Sequence, residues 1–227
     1  MKILVTGGLG FIGSHTVVEL QNSGYEVVII DDCSNSSENV LEGIFAITGK
    51  RPVYEKIDLR EKEKVGDFFT RHADIMGTIH FAASKAVGES VEKPLHYYEN
   101  NLSTLIYLLK EITAKKRQSF IFSSSCTVYG QADKMPITVD APVKMAESPY
   151  GNTKQIGEEI IKDTCKVNSG LHAISLRYFN PMGAHPSAEI GELPIGVPQN
   201  LVPFITQTGI GLREQLSVFG DDYPTPD

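Results

Sequence analysis

The sequence has few features that would send it to a membrane, to nucleic acid or to a metal. Its 227 residues contain only three cysteines (Cys33, Cys126, Cys165), an odd number without metal-ligand spacing. That argues against a disulfide framework and fits thiols kept in a reducing compartment. None of the six histidines (His15, His72, His80, His96, His172, His185) pairs at ligand spacing with another ligand residue, so no metal site is expected. Positive charge is outnumbered, with 21 Lys and Arg against 28 Asp and Glu and a formal net charge of −7. That balance excludes nucleic acid and anionic membrane as main partners, so an anionic ligand must be held by local geometry. No apolar run is long enough to span a bilayer, and the first strand begins at residue 2. Repeats and low-complexity segments are missing too. These absences lead to the expectation of a cytoplasmic protein with one good core and part of a second lobe.

The richest stretch is Met1 to Asp31. Ile3, Leu4 and Val5 run together without helical period and read as a short buried strand. Gly7, Gly10 and Gly13 follow at three-residue spacing, and a helix from about Ile12 to Asn22 begins inside that turn. Gly7 permits the tight turn, Gly10 lets a pyrophosphate approach the backbone, and Gly13 lets helix and strand pack closely. The helix N-terminus offers free N–H groups and a positive dipole end. A second strand, Glu26 to Ile30, ends at Asp31, whose carboxylate suits a ribose diol and would repel an extra ribose phosphate. The pattern predicts dinucleotide binding, with NAD favoured over NADP.

Further along, strands and helices alternate: strands at Val53–Ile57, Gly77–Ala82, Ser119–Ser123 and Leu171–Tyr178, helices near Asn39–Ile47, Glu61–His72, Pro94–Ala114 and Pro149–Asn168. This predicts an α/β fold with a doubly wound parallel sheet of Rossmann type over residues 1–179. Asn35 and Ser36, in the polar loop after Asp31, are placed to touch the ribose or a phosphate, or to cap the next helix. Asp58 ends the third strand in the ligand crevice, to accept the adenine amino group or to cap the helix starting near Glu61. Beyond Asn180, prolines and glycines punctuate a long loop, then a helix near Leu201–Gly211 and a strand near Leu216–Phe219. Residues 180–227 read as the beginning of a smaller C-terminal substrate-binding lobe, and the Pro-rich finish suggests a longer protein.

A second constellation carries reaction chemistry: the run Ser123 to Gly130, with Ser148-Pro149-Tyr150-Gly151-Asn152-Thr153-Lys154. Ser125 is expected just past the fifth strand, and Tyr150 and Lys154, four apart at a helix start, share one face. A phenol with an ordinary pKa near 10 is a poor base at neutral pH. An adjacent ammonium and an oxidised nicotinamide would favour the phenolate, while Ser125 shares the substrate hydroxyl's proton. The pattern predicts hydride transfer from a substrate alcohol.

With these motifs the sequence resembles the extended short-chain dehydrogenase/reductase superfamily, and within it the UDP-galactose (UDP-glucose) 4-epimerases. The resemblance is carried by Val5 to His15, Ile79 to Ala82, Lys85 to Val91, Phe120 to Gly130, Ser148 to Gly151, Leu176 to Pro181 and Pro198 to Leu201. It implies interconversion of UDP-galactose and UDP-glucose through a 4-keto sugar, with Tyr150 as base and NAD held tightly. It also implies NAD contacts from Phe11, Ile12, Asp31, Asn35, Ser36, Asp58, Leu59, Phe81, Ala82, Lys85, Asn100, Tyr150, Lys154 and Phe179. Ser125, Tyr150, Asn180, Asn200, Leu201 and Phe219 would face the UDP-hexose. Lys85 reads otherwise as a surface cation, and Asn180 and Asn200 as loop caps.

Some positions depart from the family pattern. Ser84 stands where Gly is usual, Cys126 where Ala is usual and Asp32 where Asn is frequent; all three should be tolerated. The family's further C-terminal lobe is absent from the sequence. A nucleotide-sugar dehydratase is disfavoured, because Cys126 and Thr127 occupy the places of its Asp-Glu pair. A non-catalytic NAD-binding module would be free to lose Ser125, Tyr150 and Lys154, yet all three are present. The helices Pro94–Ala114 and Pro149–Asn168 are candidates to pair copies into a homodimer.

Overall fold

The computed structural model describes residues 1–115, 118–218 and 220. Its centre is a six-stranded parallel sheet of β1 (Lys2–Thr6), β2 (Glu26–Asp31), β3 (Val53–Lys56), β4 (Ile75–His80), β5 (Gln118–Ser125) and β6 (Leu171–Tyr178). The strands lie in the order β3-β2-β1-β4-β5-β6. Parallel neighbours need crossovers, supplied by α1 (Phe11–Asn22), α2 (Val40–Thr48), α3 (Lys62–Arg71), α4 (Val87–Glu92), α5 (Pro94–Thr113) and α6 (Pro149–Val167). A 3-10 turn, Cys126–Tyr129, follows β5, and α7 (Leu201–Gly209) lies beyond the sheet.

Both faces of the sheet are covered, which is why β1 and β2 read as unbroken apolar runs rather than alternating ones. On one face Leu4, Val28, Ile30, Phe120 and Phe122 pack with Phe68 of α3, Leu105 and Leu108 of α5 and Ile161 of α6. On the other Ile3, Val5, Ile29 and Ile79 pack with Val17 and Val18 of α1, Ile44 of α2 and, from far along the chain, Ile190. The chain winds outward from β1 to β3, then returns to lay β4 on the other side of β1. At that reversal the loops leaving β1 and β4 part in opposite directions and open a crevice at the C-terminal ends of the strands.

The predicted elements recur with shifted ends, and two points need correction. Strand β5 runs two residues past the expected end at Ser123, because Ser124 and Ser125 pair with Arg177 and Tyr178 of β6. Ser125 is therefore the last residue of the strand, not one just past it. The strand expected near Leu216–Phe219 does not form: Gln215–Val218 is irregular, and Phe219 lies outside the described residues. Among the described residues no helix is long and apolar enough to cross a membrane, and no group of three or more His, Cys, Asp and Glu is placed to hold a metal ion.

Candidate active site

The glycine turn sits where β1 meets α1. Gly7 has φ of +67°, and a Cβ there would lie 2.7 Å from the amide nitrogen of Ala82, so the loops leaving β1 and β4 approach as closely as backbone allows. A Cβ on Gly13 would fall on the carbonyl oxygen of Gly7, well inside van der Waals contact. Gly10 differs. A Cβ there would meet only the Gly7 carbonyl, at 3.3 Å, so close packing within the chain hardly requires a glycine. It is the N-cap of α1 and supplies no side-chain cap, and the first turn carries no acid. Backbone N–H groups and the dipole end thus face the crevice uncovered by side chains, a cradle suited to a diphosphate. Phe11 and Ile12, half-buried, form its first helical residues.

Asp31 at the end of β2 is buried, with 8 % of its surface exposed. One carboxylate oxygen accepts from the Leu9 amide at 3.0 Å; the other accepts from the Cys33 amide at 3.0 Å and the Ser36 hydroxyl at 2.7 Å. A carboxylate has about four acceptor positions, so three are used in tying the glycine turn to the loop after β2. Ser36 is thereby drawn to Asp31 and does not cap α2, whose N-cap is Asn39; Asn35, next to Ser36 in that loop, is exposed.

Asp58 pairs with a residue that neither expectation named. Its carboxylate grips the Arg60 side chain, Nη2 at 2.6 Å and Nε at 3.0 Å, and accepts from the Arg60 amide at 2.9 Å. That ion pair holds its carboxyl below the usual carboxylate range. It does not cap α3, which follows Glu61. The side chain of Leu59 is in the core beside Phe68 and is 5 % exposed, so only its backbone is free to face the crevice.

Behind the end of β4, His80 is sealed in and shares a 2.7 Å hydrogen bond with the Thr6 hydroxyl, joining β4 to β1 below the crevice. Phe81 and Ala82 follow at the rim. Ser84 is more than tolerated: its amide donates to Asn101 Oδ1 at 2.8 Å, and its hydroxyl accepts from Asn100 at 2.9 Å. Asn101 also donates to the Ser84 carbonyl and to Thr153 of α6, at 3.0 and 3.1 Å. This buried amide, which the sequence reading did not single out, ties the loop after β4 to α5 and α6. Its neighbour Asn100 was expected in the site, and the paired asparagines were the available signal.

Tyr150, Lys154 and Ser125 come together at the ends of β5 and α6. Ser148 caps α6 by accepting from the Gly151 amide at 3.1 Å, with Pro149 in the first turn. Tyr150 is thus fixed in the opening turn, with the Ser125 hydroxyl beside it. Lys154 is 4 % exposed. Its ammonium donates to the Ser123 carbonyl at 2.8 Å and lies 5.0 Å from the centre of the Phe122 ring and 5.6 Å from that of Tyr150. Burial lowers the Lys154 pKa to about 8. In the protein by itself burial raises the Tyr150 pKa, and the Ser125 hydroxyl only partly counters this; the expected lowering joins the lysine with an oxidised nicotinamide. The lysine alone does not produce a phenolate, because its ammonium is aimed at Ser123 and is itself destabilised by desolvation.

Beyond β6 the predicted residues scatter. Phe179 is 54 % exposed and Leu201 65 % exposed, and Asn180 is exposed. Asn200, the N-cap of α7, makes no cap with its side chain; it donates to Glu192 at 2.5 Å. The Lys85 ammonium lies 4.0 Å from the same carboxylate. Glu192 therefore gathers Lys85 and Asn200, two residues expected on different ligands. Phe219 lies outside the described residues.

Comparison with known proteins places this arrangement. The profile of the NAD dependent epimerase/dehydratase family matches residues 3–216. Over the whole chain the sequence is 50 % identical to the UDP-glucose 4-epimerase of Bacillus subtilis (strain 168), of which it covers 66 %. Over 99 % of the chain it is 48 % identical to a UDP-glucose 4-epimerase of Schizosaccharomyces pombe, of which it covers 64 %. The chain thus spans slightly under two thirds of the length of these curated relatives. A Stenotrophomonas maltophila UDP-glucose-4-epimerase, solved with bound NAD and formylated UDP-arabinopyranose, matches all of the chain at 48 % identity and TM-score 0.94, with 67 % of that chain covered. The Bifidobacterium longum enzyme, in complex with NAD+ and UDP, matches at 43 % identity and TM-score 0.96, with 68 % covered. With its glycine turn, acid-tipped β2 and Tyr-x-x-x-Lys helix on a sheet of this order, the chain belongs to the NAD dependent epimerase/dehydratase family.

Proposed function

We propose that this chain is the NAD-binding part of an epimerase that interconverts UDP-galactose and UDP-glucose by transient oxidation at carbon 4 of the sugar. The observation that carries this is the convergence of Tyr150, Lys154 and Ser125 at the crevice mouth, across from the uncapped turn at Gly10. NAD fits the residues present: Gly10 and the α1 N-terminus for the diphosphate, and Asp31 for the adenosine ribose through its remaining acceptor position. When bound, NAD supplies a hydride acceptor at carbon 4, a hydride donor on return, and a cationic ring that favours the Tyr150 phenolate.

Tyr150 takes the proton of the 4-hydroxyl and gives it back to the same oxygen once the ketone has turned, so that hydride returns to the opposite face of carbon 4. Ser125 holds the same oxygen through both transfers. Lys154, with a pKa of about 8, stays mostly protonated at neutral pH and keeps positive charge near the phenol. We assign Lys85, Asn100 and Phe179 to the nicotinamide end and Asn180, Asn200, Leu201 and Phe219 to the UDP-hexose; residues 180–227 would begin the substrate lobe. α5 and α6, packed side by side on one sheet face, would pair copies into a homodimer, which sedimentation would test.

The experiment is incubation with UDP-galactose without added NAD, using the protein as its gene encodes it. Interconversion with UDP-glucose and no net NADH is expected, and Tyr150→Phe should lower turnover by at least a hundredfold with NAD still bound. An active Tyr150→Phe variant would remove the assigned base. A keto-deoxy product would indicate dehydration instead.

A further inference from the structure

One half-buried ionic cluster takes no part in the chemistry above. Glu158 lies on α6, four residues beyond Lys154 and eight beyond Tyr150, so the three share one face of the helix. Its carboxylate accepts from the Ser124 hydroxyl of β5 at 2.5 Å. It also accepts both arms of Arg177 on β6, Nε at 3.0 Å and Nη2 at 2.7 Å. The guanidinium lies 4.9 Å from the centre of the Tyr129 ring, in the 3-10 turn after Ser125. Burial works against the charge of Glu158, but Arg177 and Ser124 outweigh it and hold the carboxyl below its usual range.

We propose that Glu158 is a positioning residue, clamping α6 to β5 and β6 through Ser124 and Arg177 and so fixing where Tyr150 and Lys154 meet Ser125. The proposal rests on the site reading above. Two consecutive serines anchor two successive turns of one helix: the Ser123 carbonyl takes Lys154, and the Ser124 hydroxyl takes Glu158. Asn101 holds Thr153 and the core holds Ile161, but against the end of β5 a helix held at Lys154 alone could still shift. Held at two points one turn apart, it has a single register, and the phenol at its start is placed with it. A bidentate carboxylate–guanidinium pair suits this role because its planar geometry tolerates little displacement. A misplacement of about 1 Å at a reacting group can cost about a hundredfold in rate.

The test uses Glu158→Ala, Glu158→Gln and Ser124→Ala in the protein as its gene encodes it, with kcat, KM and bound NAD measured well below each variant's melting temperature. Glu158→Ala is expected to lower kcat tenfold or more with KM within threefold and NAD content unchanged. Glu158→Gln keeps one oxygen for Ser124 and Arg177 Nε but turns an amide donor toward Nη2, so it should recover part of that loss, while Ser124→Ala should lower kcat by a smaller factor. A lower melting temperature with kcat unchanged would reduce Glu158 to a stabilising ion pair and overturn the proposal, as would Gln failing to improve on Ala. If Glu158→Ala does not fold, Glu158→Gln and Ser124→Ala decide, and wild-type kcat in both overturns it. Tyr150→Phe, run alongside, separates this outcome from failure of the site reading, which a turning-over Phe variant alone would signal.

Discussion

His80 is enclosed by the Phe120 and Phe122 rings, stacked 6.2 Å away by centroid, and by the Thr6 hydroxyl. Burial, with the nearby Lys154 charge adding to it, lowers its pKa to about 3 from the ordinary 6.5. The unfolded chain therefore binds a proton between these two pH values that the folded one refuses, and stability falls as pH drops through that window. From pH 7 to pH 5 the His80 contribution amounts to about 2 kcal/mol, at ~1.36 kcal/mol per pH unit below the unfolded pKa. Denaturant melts at the two pH values should show it as a difference between wild type and His80→Gln, which has no proton to gain; a difference independent of pH would contradict the buried neutral imidazole. At this scale much of the site was legible. Tyr150 and Lys154 announce themselves by spacing, and Gly7, Gly10 and Gly13 by position after a strand. What a local pattern cannot convey is a partner far along the chain: Asn101 reaches Thr153, 52 residues on, while its neighbour Asn100 draws notice. The rise in the Tyr150 pKa on burial is of the same kind, since burial depends on the whole fold.

α6 shows what an element does with its ends. Its first turn presents the phenol, and that turn is held by one side-chain cap, Ser148 Oγ accepting from Gly151 N at 3.1 Å. Ser148→Ala should cost about 1 kcal/mol, lowering the melting temperature by roughly 2–4 °C in a domain of this size. Thermal scans followed by circular dichroism would check it, and an unchanged midpoint would mean that water replaces the cap. Ser148-Pro149 is the kind of signal a sequence shows plainly, because capping is chemistry between residues three apart. The end of β5 is not of that kind: Ser124 and Ser125 join the strand through β6, some fifty residues later. Leu216–Val218 shows the converse, since an apolar alternation forms no strand where, among the described residues, none pairs with it.

For the whole molecule, the strand order follows from alternating strands and helices, a handedness rule and one reversal, all readable along the chain. The return of the segment after β6 is not readable. It crosses the rim of the sheet and plugs Ile190, 3 % exposed, between α1 and α2 on the face away from α6. There the backbone of Glu189 lies against Gly43 of α2 so closely that a Cβ on that glycine would fall on the Glu189 carbonyl. Ile190 lies among polar and turn-forming residues, and nothing in the sequence separates it from Leu193 and Ile195, which are exposed. Yet Glu192, two residues on, is the carboxylate that gathers Asn200 and lies near Lys85. An anchor at 190 therefore holds Asn200, which we assign to the UDP-hexose, and only loosely Lys85, assigned to NAD and 4.0 Å from Glu192, whereas the glycine turn and Asp31 are held by β1 and β2. Ile190→Ala should lose about 2–4 kcal/mol of stability from the cavity it leaves. It should also weaken UDP binding several-fold while NAD affinity stays near that of the wild type. Separate titrations with each nucleotide distinguish this from a general loosening, which would weaken both alike and show that the two halves of the crevice are not anchored independently.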